Sequence, residues 1–155
     1  PLGAGYHIAQ SKIALGSGGV FGKGYMMGTQ SRLNFLPEKQ TDFIFTMLCE
    51  ELGFVGGLTL LAFYAVVLIY SFSVAVQCRN QFGRLLALGI SVSFFFYVFI
   101  NSAMVMGLLP VVGVPLPLVS YGGTAMLSLM FAFGLLMSVY IHRNLEIARG
   151  NNAFW

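Results

Sequence analysis

LPVVGVPLPLVSYGG, residues 109–123, interrupts a run of 57 residues, 85–141, that contains no Asp, Glu, Lys or Arg. A helix that spans a bilayer needs about 20 apolar residues, so this run is long enough for two of them. Its interruption carries three prolines and three glycines, which do not continue a helix. The pattern therefore predicts transmembrane helices over 85–108 and 124–141, joined by an apolar Pro/Gly-rich loop that re-enters the membrane or packs on the protein.

A second uncharged run lies upstream, over residues 52–78. Together with the apolar residues just before it, this run predicts one continuous transmembrane helix over 42–78, followed by a short loop at 79–84. Of the 155 residues, 57% are hydrophobic and 8% are charged, whereas soluble domains have about a quarter charged. The fold class predicted is therefore an all-α polytopic membrane protein with about three transmembrane helices.

The polar residues concentrate in the segment 1–41, which holds half of the basic side chains and a glycine-rich stretch over 16–28. A short interfacial helix is expected near 6–15. The glycines either offer backbone N–H groups to an anion or simply let a loop fold over the membrane. Neither a Walker A loop nor a dinucleotide fingerprint is present. Both readings of the glycines therefore stay open.

Charge does not orient the chain or indicate a nucleic-acid partner. The net charge is only +3. Four bases precede the first span and four lie in the loop 79–84 and the tail 142–155, so the positive-inside rule does not decide between the two sides. These bases are Lys12, Lys23, Arg32 and Lys39 on one side, and Arg79, Arg84, Arg143 and Arg149 on the other.

Asp42 stands immediately before the apolar residues that begin the first span. It is expected to be the N-cap of that helix, a general base at the membrane surface, or both together. Glu50 and Glu51 lie further along, and a carboxylate in hydrocarbon needs a partner. On one continuous helix they point about 80° and 180° away from Asp42, so we expect an ion pair or hydrogen bond with a neighbouring helix.

Other polar residues within the apolar runs are expected to be structural. Asn101 lies in mid-span, where its amide more often joins two helices than binds a ligand. Ser120, Gly122 and Gly123 end the Pro/Gly-rich loop and are assigned the same structural role. No metal-ligand cluster is visible, because His7 is alone in its segment.

Three passages together resemble the SEDS family, the bacterial membrane proteins of shape, elongation, division and sporulation. The first two are Leu36-Pro37-Glu38, Thr41-Asp42-Phe43-Ile44-Phe45 and Glu50-Glu51-Leu52-Gly53, and then Asn101, Gly107, Pro110, Gly113, Pro115-Leu116-Pro117 and Ser120-Tyr121-Gly122-Gly123. The third, which is similar to the elongation (RodA-like) branch more than to the division (FtsW) branch, is Gly5-Tyr6-His7, Gln10-Ser11-Lys12, Gly16-Ser17-Gly18-Gly19, Gly22-Lys23-Gly24 and Gly28-Thr29-Gln30-Ser31.

The resemblance implies the carboxyl-terminal portion of a protein with about ten spans in the bacterial cytoplasmic (inner) membrane. It implies a peptidoglycan glycosyltransferase that polymerises lipid II during cell elongation and rod-shape maintenance. The partners implied are a class B penicillin-binding protein transpeptidase and other membrane proteins of the elongation complex. Residues 1–41 are then periplasmic and the tail is cytoplasmic.

In the family the essential acidic residue belongs to the Thr-Asp-Phe-Ile motif, which places the general base at Asp42. The substrate-binding candidates are Lys12, Lys23, Arg32 and Lys39, which could neutralise the leaving diphosphate, and Glu38. Help from a divalent cation stays open. The alternative functions are a lipid II translocase and a non-enzymatic scaffold of the elongation or division complex. We expect the chain by itself to be inactive, because three spans do not enclose a cavity for a lipid-linked sugar.

Overall fold

The computed structural model describes residues 4–24 and 41–144, and within these ranges the regular secondary structure is all helix, with no strand. The helices are α1 (Ala4–Ser17), α2 (Ile44–Gln77), α3 (Gln81–Val105) and α4 (Gly123–Ile141). The last three are long and apolar enough to cross a membrane. The prediction of an all-α membrane protein with three spans is therefore confirmed.

Helix α2 differs from the continuous helix predicted, because it is broken at Gly53, whose backbone has φ 72° and ψ −168°. A straight helix would place Tyr64 about 30 Å from the start of α2. Yet the Tyr64 hydroxyl donates to Pro117 O at 2.6 Å while Ser120 Oγ, only three residues on, donates to Thr41 O. The chain therefore bends sharply at Gly53 and forms a short segment, residues 44–52, and a longer one that reaches Gln77.

Successive long helices run in opposite directions. Where α2 ends and α3 begins, Arg79 N donates to Arg143 O at 3.1 Å and the Arg143 guanidinium donates to Gln77 Oε1 at 2.9 Å. The end of α4 thus meets the 79–84 loop. The opposite end of the structure holds Asp42, the end of α3 and the Pro/Gly-rich loop.

The core is small and lies beneath that loop. Tyr64 of α2 and Phe94 of α3 pack edge to face, with ring centroids 5.7 Å apart. Leu116 of the loop is buried in the same cluster, so the loop packs on the protein. Many apolar side chains elsewhere on the long helices are exposed, as suits contact with lipid or with further helices.

Candidate functional site

Asp42 lies just outside α2, at the surface of the Pro/Gly-rich loop. Phe43 takes the N-cap position and makes no side-chain capping bond, so the interpretation of Asp42 as the cap is wrong. The Asp42 side chain is partly exposed. Its Oδ2 lies 3.3 Å from the place that a Cβ would take on Gly113, which has φ +72°. The carboxylate is therefore seated against loop backbone at a position that favours glycine.

Two side chains from elsewhere hold the backbone on which Asp42 stands. The fully buried Asn101 donates through Nδ2 to Asp42 O at 2.9 Å and to Val114 O at 2.7 Å. Ser120 Oγ donates to Thr41 O and accepts from Leu116 N at 2.7 Å. Asn101 and Ser120 thus join α3 and the loop to the two residues at the start of α2.

The end of the loop continues directly into α4. Gly122 takes the N-cap position of this helix, and Gly123 is its first residue. Both glycines therefore lie where the loop joins α4.

Helix α1 brings Lys12 to the same end of the structure. Its neighbour Ser11 is buried, bonds to Thr46 Oγ1 at 2.9 Å and donates to Val105 O at 2.9 Å. The exposed Lys12 side chain lies over Gly107, at the end of α3. Lys12 and Asp42 therefore contact the two ends of one stretch of chain, 107–113.

Lys23 lies apart from Asp42 and is engaged with Glu50. Its Nζ is 2.9 Å from Glu50 Oε1 and donates to Ser17 Oγ at 2.8 Å. Glu50 is fully buried, whereas 28% of the Lys23 side chain is exposed. The ion pair expected for Glu50 is present, but its partner comes from the segment after α1 and not from a neighbouring membrane helix.

Residues 18–24 of the glycine-rich stretch form a turn, here called the glycine turn, whose backbone bonds to the break in α2. The N–H groups of Gly22, Lys23 and Gly24 donate to Gly18 O, Glu50 O and Glu51 O, so these three are not available to an anion. The turn lies at the surface, with Val20 and Phe21 exposed, while its backbone bonds to the break in α2. Glu51 itself is half-buried beside it. No local signal showed this pairing, which joins residues about 30 positions apart.

Three of the predicted substrate-binding residues, Arg32, Glu38 and Lys39, lie outside the described residues. Within residues 4–24 and 41–144, no group of three His, Cys, Asp or Glu side chains comes together to hold a metal ion. The help of a divalent cation therefore stays a prediction.

An apolar groove of about 570 Å³ runs between α3 and α4 and ends at the loop. Ser120, which holds Thr41, is among its lining residues. A groove of this size and polarity can take a hydrocarbon chain. Its aromatic and proline lining consists of Phe94, Tyr97, Phe133, Pro115 and Pro117.

The chain is similar in sequence to known proteins. The chain is 58% identical over 145 residues to peptidoglycan glycosyltransferase MrdB of Escherichia coli (strain K12), which covers 94% of the chain and 39% of the relative. It is 47% identical over 139 residues to peptidoglycan glycosyltransferase RodA of Treponema pallidum (strain Nichols), covering 90% of the chain and 32% of the relative. The chain thus spans about two fifths or less of the length of these relatives.

Two solved structures share the fold. The first is described as "Structural coordination of polymerization and crosslinking by a peptidoglycan synthase complex" and matches with a TM-score of 0.72 and 28% sequence identity. The match covers 89% of this chain and 38% of the chain in that structure. The second is an Asp-to-Ala mutant of the rod shape determining protein RodA of Thermus thermophilus, with a TM-score of 0.69 and 32% sequence identity. The match covers 82% of this chain and 40% of the chain in that structure.

The sequence model of the FtsW/RodA/SpoVE family, described as cell cycle protein, matches residues 1–145. The match covers nearly the whole chain, which agrees with the SEDS motifs and with the shared fold of the solved structures. This chain is a multi-pass membrane protein that belongs to the FtsW/RodA/SpoVE family.

Proposed function

We propose that this chain carries the catalytic carboxylate of a peptidoglycan glycosyltransferase that polymerises lipid II during cell elongation, with Asp42 as general base. The observation that carries the proposal is the seating of Asp42. Its side chain is partly exposed, while Asn101 and Ser120 hold the backbone carbonyls of Asp42 and Thr41. A general base needs this combination of access and fixed position. The names of the relatives support the same activity.

The chemistry is attack by a sugar hydroxyl of one lipid-linked saccharide on the anomeric carbon of another. Asp42 takes the hydroxyl proton as the new C–O bond forms, and the bond to the lipid diphosphate breaks. A sugar hydroxyl is far less acidic than a carboxylic acid, so proton transfer accompanies the attack and does not precede it. Direct displacement inverts the anomeric centre, which converts an α-linked donor into a β-linked product.

General-base catalysis supplies about 10²–10⁴-fold of the rate, and the positioning of the two substrates and the stabilisation of charge supply the rest. Among the basic residues that the structure describes at this end, Lys12 is the candidate for the diphosphate, because it is exposed. Lys23 is less suited, since its ammonium group already neutralises Glu50. The apolar groove that ends at Ser120 suits the hydrocarbon part of a lipid-linked substrate.

The location and partners proposed follow from the same reading. The whole protein lies in the bacterial inner membrane, with the Asp42 end periplasmic and the end formed by the 79–84 loop and His142 cytoplasmic. A class B penicillin-binding protein transpeptidase and other elongation-complex proteins are its partners, which agrees with a solved relative titled as a peptidoglycan synthase complex. Labelling of single cysteines at Ser120 and Asn80 from either side of the membrane tests the orientation.

The test of Asp42 uses the whole protein that contains this chain, purified and supplied with lipid II. Asp42→Asn keeps the size of the side chain but removes the base, and we expect polymerisation to fall about 10²–10⁴-fold while lipid II binding is retained. Asp42→Glu keeps a carboxylate one methylene away and is expected to retain part of the rate. Glycan chains formed at the normal rate by Asp42→Asn would refute the general base. Movement of lipid II across vesicle membranes without polymerisation by the unaltered protein would favour the translocase instead.

A further inference from the structure

The glycine turn replaces the hydrogen bonds that α2 loses at Gly53. In a continuous helix the N–H groups of Phe54 and Val55 would donate to Glu50 O and Glu51 O. In the structure these two N–H groups donate to Gly19 O at 2.9 Å and Val20 O at 3.2 Å. The two helix carbonyls accept instead from the N–H groups of Lys23 and Gly24, each at 3.1 Å. Four hydrogen bonds to the glycine turn therefore replace two hydrogen bonds of a continuous helix. The turn is thus part of the structure of the break.

The Lys23–Glu50 ion pair joins the glycine turn to α2 through side chains, next to the break at Gly53. Glu50 is fully buried at the end of the short segment, where a carboxylate without a counter-charge is strongly unfavourable. Lys23 also donates to Ser17, the last residue of α1, at 2.8 Å. One ammonium group thus joins the short segment, the turn and the end of α1.

The short segment is held at both of its ends. At the start, Asn101 and Ser120 hold the carbonyls of Asp42 and Thr41. At the finish, the turn and Lys23 hold Glu50. Asp42 and Glu50 are about 12 Å apart along a helix axis, so a change of only about 5° in the tilt of the segment displaces one end relative to the other by about 1 Å and strains the bonds that hold Asp42. A misplacement of that size can lower a rate about 10²-fold.

We propose that Lys23 is a positioning residue for Asp42: by pairing with Glu50 at the break in α2, it fixes the tilt of residues 44–52 and hence the place of the carboxylate. This inference rests on the proposed function of Asp42. It gives Lys23 a role different from the direct contact with diphosphate expected from the sequence. The two roles predict different kinetics, because a positioning residue changes the chemical step while a binding residue changes substrate affinity.

The experiment measures kcat and KM for lipid II polymerisation by the whole protein with Lys23→Met, Glu50→Gln and Lys23→Arg. We expect kcat to fall 10- to 100-fold in Lys23→Met with KM changed less than twofold. Glu50→Gln, which keeps the shape and a hydrogen-bond acceptor, should show a smaller fall of the same kind. Lys23→Arg keeps the charge and should restore most of kcat. Arg84→Met is the control, since it removes an exposed basic side chain at the opposite end of the structure from Asp42, and it should leave kcat and KM unchanged.

Folding is checked for each variant by its elution as a single species and by its thermal midpoint. If Lys23→Met does not fold, the double variant Lys23→Met/Glu50→Gln removes the pair without leaving a buried charge, and its kcat should be as low as expected for Lys23→Met. A raised KM with unchanged kcat in Lys23→Met would overturn the inference in favour of substrate binding. Unchanged kcat and KM in a folded Lys23→Met or double variant would overturn it outright. Loss of rate in Asp42→Asn measured alongside keeps either result separate from a failure of the proposed function.

Discussion

The break in α2 and the Pro/Gly-rich loop are two departures from regular helix that share a backbone feature but differ in what they leave accessible. Each is centred on a glycine with φ +72°, Gly53 in one and Gly113 in the other. At the break, the backbone groups that lose their helix partners bond to the inserted turn, and Lys23 pairs with the buried Glu50. At the loop, the backbone of Asp42 is held while its carboxylate stays partly exposed. In both regions a glycine with positive φ lies where two segments of the chain approach closely, and the exposure of the nearby carboxylate distinguishes the structural region from the region proposed for chemistry.

The largest structural effect is expected at the break. Alanine at Gly53 would keep a backbone conformation that is essentially confined to glycine and costs other residues about 1–3 kcal/mol. Its Cβ would also overlap the backbone of Val20 and Gly22, so the glycine turn would have to move. That movement would weaken or break the hydrogen bonds between the turn and α2, which contribute about 1 kcal/mol each. We expect Gly53→Ala to lower the free energy of unfolding by about 3–5 kcal/mol, measured as a lower thermal midpoint and a lower yield of folded protein.

The matched control is Gly134→Ala in α4. A Cβ at this position meets no other atom within 4 Å. Replacing glycine by alanine within a helix favours the helix by about 0.5–1 kcal/mol, so the thermal midpoint should stay the same or rise slightly. A Gly53→Ala protein as stable as this control would show that the break is not a fixed feature of the fold.

The sequence was sufficient for the spans but not for the break. Charge-free runs of the right length identified all three long helices, because burial in lipid depends on composition alone. Hydropathy contains no sign of the break, since Gly53 lies at the start of an uncharged run and a small residue there also fits ordinary helix packing. The partners that replace its lost bonds come from Gly19 to Gly24, about 30 residues earlier, and such long-range pairing has no local signature.

The candidate site was also predictable only in part: the polar residues could be identified from the sequence, but their relative positions could not. Asp42 was identified from the Thr-Asp-Phe-Ile motif, and the need of Asn101 for a polar partner followed from its burial. The angles between Asp42, Glu50 and Glu51 assumed one helix that includes all three residues, whereas the helix begins at Ile44 and Asp42 lies outside it. Lys12 and Lys23 could not be told apart by composition, because their difference depends on which of them meets a buried carboxylate.

A smaller effect is expected where the loop meets Asp42. Alanine at Gly113 costs about 1–2 kcal/mol of stability through its positive φ. Its Cβ would lie 3.3 Å from Asp42 Oδ2, so the carboxylate must move by a fraction of an ångström. We expect kcat for polymerisation to fall about tenfold in Gly113→Ala while the protein still folds. A normal kcat would show that the loop supports α3 and α4 but does not help to place the carboxylate.

The smallest effect is expected from Lys12, and its direction separates the two lysines. The diphosphate of lipid II is charged before the reaction as well as during it, so a cation beside it stabilises the bound substrate and the transition state alike and changes KM more than kcat. Because Lys12 is exposed, its contribution is limited to about 0.2–1 kcal/mol and is screened by salt. Lys12→Met should therefore raise KM about two- to fivefold at low ionic strength, with kcat unchanged, and the difference from the unaltered protein should shrink in 1 M salt. A fall in kcat at constant KM would instead place Lys12 with Lys23, as a residue that acts through the position of Asp42.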